Sequence, residues 1–138
     1  MGEVLLVTGS SGIAAATARM WPEGNPVFIL GSDAAGCRAL RQELAEADFC
    51  VADVRDESAV RRAVQACLAR FGRIDAVFNV AGISARARGD GPLHECTSEG
   101  WDEAMDVNAK GTFQVCREVL RGWVERQQKG AILNMGSV

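Results

Sequence analysis

Leu6-Val7-Thr8-Gly9-Ser10-Ser11-Gly12-Ile13-Ala14-Ala15 reads as a buried strand, a turn of small residues and the start of a helix. Glycines at such a junction let the main chain approach a ligand closely. The helix start adds N–H groups without intrahelical acceptors and the positive end of the helix dipole. A phosphate or pyrophosphate is the chemistry suited to that junction. The rest of the chain is therefore read for the remaining parts of a nucleotide site.

Strand and helix patterns alternate outward from this turn. Glu3 to Val7 is the first strand, and a helix from about Ile13 to Trp21 is stopped by Pro22 and Gly24. Val27 to Leu30 is the second strand. A helix from about Ala35 to Ala47 buries Leu40, Leu44 and Ala47, and the short strand Phe49 to Val51 leads into Asp53-Val54. Asp56 is placed to cap a helix whose Val60, Ala63, Val64, Cys67, Leu68 and Phe71 recur at helical spacing. Ala76 to Val80 is the fourth strand, followed by a polar, glycine-rich loop from Gly82 to Cys96 in which Arg86 and Arg88 read as solvated charges. A long helix then begins at Thr97 or Ser98. Its predicted buried stripe runs through Trp101, Ala104, Met105, Asn108, Thr112, Val115, Cys116, Val119, Leu120 and Trp123. A buried amide without partners costs about 1–3 kcal/mol, so Asn108 needs a hydrogen-bonding neighbour. Gly130 precedes a fifth strand, Ala131 to Met135, which reaches Gly136-Ser137-Val138.

Uniformly apolar strands alternating with helices predict an α/β fold: a doubly wound parallel sheet (Rossmann fold) of five strands, forming one domain over residues 1–138. Ligands of such sheets lie beyond the carboxyl ends of the strands. Thr8 to Gly12, Asp33, Asp53, Asn79 to Gly82 and Ser137 all follow strand ends, a coincidence that carries more than any single motif.

Composition narrows the function classes. A hydrophobic share of 48% with 24% charged residues is that of an ordinary globular chain, and a net charge of −3 without a basic tract gives no nucleic-acid footprint. Five cysteines lie far apart and one histidine accompanies them, so neither a disulfide framework nor a metal site is expected. No signal peptide or membrane-length apolar run is evident, and a cytoplasmic location without a membrane partner is the expectation. The glycine turn lacks the Lys of a triphosphate-hydrolysing loop, and Ser137 lacks the flanking pattern of a nucleophile elbow.

The pieces in order are TGSSGIA after the first strand, ADV after the third, NVAG after the fourth, VNAKGTF in the long helix and NMGSV at the end of the fifth strand. Together they resemble the short-chain dehydrogenase/reductase family, over its amino-terminal half and a little more. The resemblance implies hydride transfer between a nicotinamide cofactor and a small-molecule alcohol or carbonyl. It places Gly9, Ser10, Ser11, Gly12 and Ile13 at the pyrophosphate and Asp53 with Val54 at the adenine. Asn79, Ala81 and Gly82 would flank the cofactor ribose. Ser137 would bond the reacting oxygen, and Asn108 would anchor a proton relay. Each also has a plain structural reading: Asn79 and Asn108 as satisfied core amides, Asp53 as a loop cap, Ser137 as an ordinary strand-end hydroxyl. Family analogy further implies a homo-oligomer, dimer or tetramer, through the long helix.

Departures from the family pattern shape the expectations. Only Ser10 and Ser11 separate Gly9 from Gly12, one residue fewer than the family's usual turn, and Ala15 takes the place of a later glycine. Gly31 stands where the family's ribose-binding Asp aligns, with Asp33 slightly later; no Arg or Lys occurs from Gly9 through Ala18 or at Ser32. The reading leans to NAD over NADP on that ground. The family's proton donor is a Tyr followed four residues later by Lys, and these 138 residues contain no Tyr. They are therefore expected to be catalytically incomplete, a portion of a longer enzyme or one completed by another chain. The competing readings are a non-catalytic dinucleotide-binding module or sensor subunit, and a flavodoxin-like binder with Thr8 to Ser11 around a flavin phosphate.

Overall fold

β1 (Leu5–Thr8) lies at the centre of a parallel sheet, paired with β2 (Val27–Gly31) on one side and β4 (Ala76–Asn79) on the other. β3 (Ala47–Val51) and β5 (Ala131–Asn134) form the two edges, giving the order β3-β2-β1-β4-β5. The computed structural model describes residues 2–137, so Val138 lies outside the described residues. The helices are α1 (Gly12–Met20), α2 (Ala34–Glu43), α3 (Glu57–Phe71), α4 (Ser98–Met105) and α5 (Thr112–Arg126). This is the doubly wound α/β architecture read from the alternation. The chain moves outward from β1 through β2 and β3, then returns to its other side for β4 and β5, leaving a crevice where the direction reverses.

The run Val4-Leu5-Leu6-Val7 is apolar throughout because both sheet faces are covered. Val4 and Leu6 join Phe28, Leu30 and Val77 beneath α3 and α5. Leu5 and Val7 join Val27, Ile29 and Phe78 beneath α1 and α2. Successive strand residues point to opposite faces, so a strand buried on both sides has no polar positions to show. Helix starts follow local chemistry. Asp33 Oδ1 accepts from the Ala35 amide at 3.1 Å, Asp56 Oδ1 from the Ser58 and Ala59 amides at 2.9 and 3.1 Å, and Thr97 Oγ1 from the Gly100 amide at 3.0 Å. Gly72, at φ +79°, ends α3.

Several element ends move by one or two residues from the sequence reading: β1 runs Leu5–Thr8 and β4 ends at Asn79. Three further differences are instructive. α2 stops at Glu43, and Ala47 opens β3 instead of lying on the helix, because pairing with β2 captures it: the Val27 amide donates to Glu46 O at 2.9 Å and Ala47 lies opposite Val27. β5 ends at Asn134, a residue earlier than expected. The third difference concerns the long helix, which passes through a π-helical turn at Asp106–Gly111 between α4 and α5. Val107, Gly111, Val115, Val119 and Trp123 are buried, whereas Trp101 is 56% exposed and Met105, Asn108 and Leu120 also face outward. A π turn inserts one residue into the helical period. The stripe through Val115, Val119 and Trp123 therefore reads correctly, and its upstream continuation is one residue out of phase. Gly111 lets this turn pack against Val54, since a Cβ there would lie 2.5 Å from Val54 Cγ2.

Between α3 and α5, buried Glu118 receives Arg121 at 2.8 Å and Arg61 and Arg117 at 3.5 Å, so its charge is compensated. Trp123 Nε1 donates to Ile74 O at 2.7 Å. Cys67 is fully buried in the same layer, and loss of solvation pushes its thiol up to about 12. The unfolded chain ionises this thiol from about pH 8.5, so the raised folded-state value contributes stability that is present below that pH and lost as pH rises toward 12. Between pH 8 and pH 10, urea unfolding should show the unsubstituted protein losing about 2 kcal/mol more stability than Cys67→Ala, beyond the constant offset from the cavity.

Candidate dinucleotide site

The crevice is a cleft of about 430 Å³ lined by the loops after β1, β2, β3 and β4 and by α4 with its π turn. Its edges are stitched by Thr8. The buried Thr8 Oγ1 accepts from the Val80 and Ala81 amides at 2.9 and 3.0 Å, holding the end of β4 against the end of β1. On the other side the Gly9 amide donates to Leu30 O at 2.8 Å, tying the glycine turn to β2.

Gly9 and Gly12 adopt φ +102° and +51°, backbone that side chains with a Cβ rarely take. A Cβ at Gly9 would stand 3.3 Å from the Ala14 methyl, while at Gly12 it would meet nothing within 4 Å. α1 begins differently from α2, α3 and α4, because its N-cap Ser11 makes no side-chain capping bond; like α2, it has no acidic residue in its first turn. The first amides of α1 thus have no side-chain acceptor, at an open turn of small residues. This arrangement fits a pyrophosphate.

The structure brings Gly9, Ser10, Ser11, Asp33, Asp53, Val54, Ala81 and Gly82 to the cleft wall. Gly12 and Ile13 sit at its α1 end without being part of that wall, and both are exposed. Asp33 is also the α2 cap, and Gly36 beneath it leaves no room for a side chain: a Cβ there would lie 2.5 Å from Asp33 Oδ2 and 2.7 Å from Ser10 Oγ. Gly31 is similarly confined, with the Cys37 sulfur 2.8 Å from where its Cβ would be. A carboxylate at the strand end itself would displace that thiol, so the acidic group in this part of the cleft is Asp33.

Asn108 is exposed, contrary to the predicted buried stripe, yet it has the partners that were required of it. Its Oδ1 accepts from the Ile83 amide and its Nδ2 donates to Ile83 O, both at 2.8 Å. The π turn thereby clamps the loop after β4, and a Cβ at Gly82 would come within 3.0 Å of Asn108 Oδ1. Asn79 is buried with its side chain turned away from the cleft, toward β5 and α5. Its Nδ2 donates to Asn134 Oδ1 at 2.9 Å and lies 3.3 Å from Cys116 Sγ. Ser137 is exposed beyond the end of β5 and is not part of the cleft wall.

Two charged wall residues escaped the sequence reading. Arg55 folds back on Asp53, with Nη2 2.7 Å from Oδ2, and its Nη1 reaches Glu103 Oε1 on α4 at 3.1 Å. Hydrogen bonds from Arg55 hold the Asp53 carboxyl below the usual carboxylate range. The only signal in the sequence was the spacing Asp53-Val54-Arg55. Replacing Thr8 by Val, nearly equal in volume, leaves the Val80 and Ala81 amides without their acceptor. Chemical denaturation should show a loss of about 2–4 kcal/mol, from two unsatisfied groups at about 1–3 kcal/mol each before relaxation.

Comparison with known proteins agrees with this architecture. The family profile of short chain dehydrogenases matches residues 3–138, and the chain belongs to that family. L-fucose dehydrogenase of Oryctolagus cuniculus is 37% identical over 139 residues, covering 99% of this chain and 47% of that protein. NAD+-bound xylitol dehydrogenase superposes with a TM-score of 0.86 at 31% identity, covering 99% of this chain and 53% of the other. An F189W actinorhodin polyketide ketoreductase with NADPH gives a TM-score of 0.88 at 35% identity, again covering 99% and 53%. The chain spans about half the length of the relatives it matches.

Proposed function

We propose that these residues form the dinucleotide-binding part of an oxidoreductase that transfers hydride between NAD(P) and a small-molecule alcohol or carbonyl. The uncapped start of α1 behind the open Gly9–Gly12 turn is the observation that carries this reading. Main-chain amides there would hold the pyrophosphate, with Ser10 and Ser11 beside it and Ile13 at the helix start. Asp33 would take the adenosine ribose, Asp53 and Val54 the adenine, and Ala81 and Gly82 the nicotinamide ribose, with Asn79 supporting that strand end from behind. When bound, the nicotinamide ring supplies the hydride. Ser137 would orient the reacting oxygen, and Asn108 would hold the loop after β4 and the relay leading to it.

Charge supports NAD over NADP. Asp33, Asp53, Glu103 and Arg55 are the charged residues of the cleft wall, and Arg55 is already shared between two carboxylates. An added ribose phosphate would meet net negative charge. Because the 138 residues contain no Tyr, proton transfer of the family kind is not expected from them alone. The outward face of α5, with Phe113, Leu120 and Val124 exposed, supports association with a further copy.

Calorimetric titration tests the proposal. NAD should bind about tenfold or more tightly than NADP, and Gly12→Val should abolish measurable binding by filling the turn and straining its backbone. Binding of neither dinucleotide overturns the reading; NAD binding without NADH oxidation by the full natural chain, across a panel of carbonyls, selects the non-catalytic module.

A further inference from the structure

Among the described residues β5 pairs with one neighbour, β4. A strand held along one edge can turn about that row of hydrogen bonds as about a hinge, and a bond placed off the row stops the turning. At the end of β5 two such bonds meet on one atom. Asn134 lies directly opposite Asn79 and accepts from Asn79 Nδ2 on its Oδ1 at 2.9 Å; Cys116 Sγ of α5 lies 3.8 Å from the same oxygen. Asn79 Nδ2 is also 3.3 Å from Cys116 Sγ, which closes a triangle of β4, β5 and α5. Burial pushes the Cys116 thiol up, so at neutral pH it keeps the proton that Asn134 Oδ1 accepts. Asn79 is buried and its Oδ1 has no hydrogen-bond partner among the described residues, so its amide depends on what Nδ2 bonds. The next ladder bond, from the Met135 amide to Asn79 O at 2.9 Å, belongs to the hinge row itself. Beyond it the chain passes through Gly136 to Ser137.

We propose that Asn134 is a positioning residue for hydride transfer: bonded to Asn79 and Cys116, it fixes the rotation of the end of β5 and with it the reach of Ser137 toward the reacting oxygen. This inference rests on the oxidoreductase reading above. The nicotinamide side of the cleft is referred to the same helix. The π turn ahead of α5 holds the loop after β4 through Asn108, beside Gly82, and Cys116 of α5 holds the end of β5. Cofactor and substrate oxygen are thereby placed from one rigid body, by side chains that touch neither. Such placement matters to rate, because a misplacement of about 1 Å at reacting atoms costs about a hundredfold.

The test uses the full natural chain, with NADH and the carbonyl that turns over fastest in the panel above, and reads kcat, KM and the NAD dissociation constant together. Asn134→Leu, similar in size but without an acceptor, should lower kcat and kcat/KM by the same factor, about tenfold or more, with NAD affinity changed less than about twofold. Asn134→Asp keeps an acceptor for both donors and should hold kcat within about threefold of the unsubstituted enzyme. Cys116→Ala removes the second donor and should lower kcat about threefold, again without weakening NAD. Should Asn134→Leu not fold, Cys116→Ala decides by itself. An unchanged kcat, a loss of kcat matched by an equal loss of NAD affinity, or equal losses for Asn134→Leu and Asn134→Asp overturns the inference. NAD binding without turnover of any carbonyl by the unsubstituted chain overturns the catalytic reading and this inference with it. Failure of NAD and NADP alike to bind that chain overturns the dinucleotide reading itself.

Discussion

The pairing of β1 with two strands at once is the constraint on which the rest of the molecule depends. Where β2 and β4 end on either side of it, the chain leaves in opposite directions and the ladder has no further strand residues to offer. Main-chain groups at that point must still be satisfied. Thr8 accepts two amides from the end of β4, and Leu30 O accepts the amide of Gly9. The crevice is thus a gap whose rims are pinned by hydrogen bonds. Its width follows from the sheet, not from the loops that decorate it.

The π turn between α4 and α5 is a second consequence of close packing. Val54, after β3, presses on Gly111, and Gln114 one turn later donates to Val54 O. A regular helix would carry Asn108 inward. The inserted residue instead turns its amide to the main chain of Ile83 and closes the loop after β4. One helix therefore secures the ends of both β3 and β4, on opposite sides of the crevice.

Electrostatics divides the cleft in two. The glycine turn presents amides without side-chain acceptors, a region of positive partial charge. The walls near α2 and α4 carry Asp33, Asp53 and Glu103 against Arg55. An elongated ligand with a phosphate middle and an uncharged, donor-bearing end matches that division.

The sequence by itself determined the alternation of strands and helices, the sheet type and the position of the glycine turn. These are local properties: apolar runs record burial on both faces, and Asp33, Asp56 and Thr97 bond to amides only a few residues away. Which strand-end residues would line the crevice was largely legible for the same reason, because the end of a parallel strand has one place to go. Tertiary structure decided the phase of the long helix, the inward turn of Asn79 toward Asn134, and the tie between Arg55 and Glu103. Their partners lie far along the chain, 55 residues away for Asn79 and 48 for Arg55. No periodicity records such distances. They are set when sheet and helices close together and each polar group takes whatever donor or acceptor that closure places within reach.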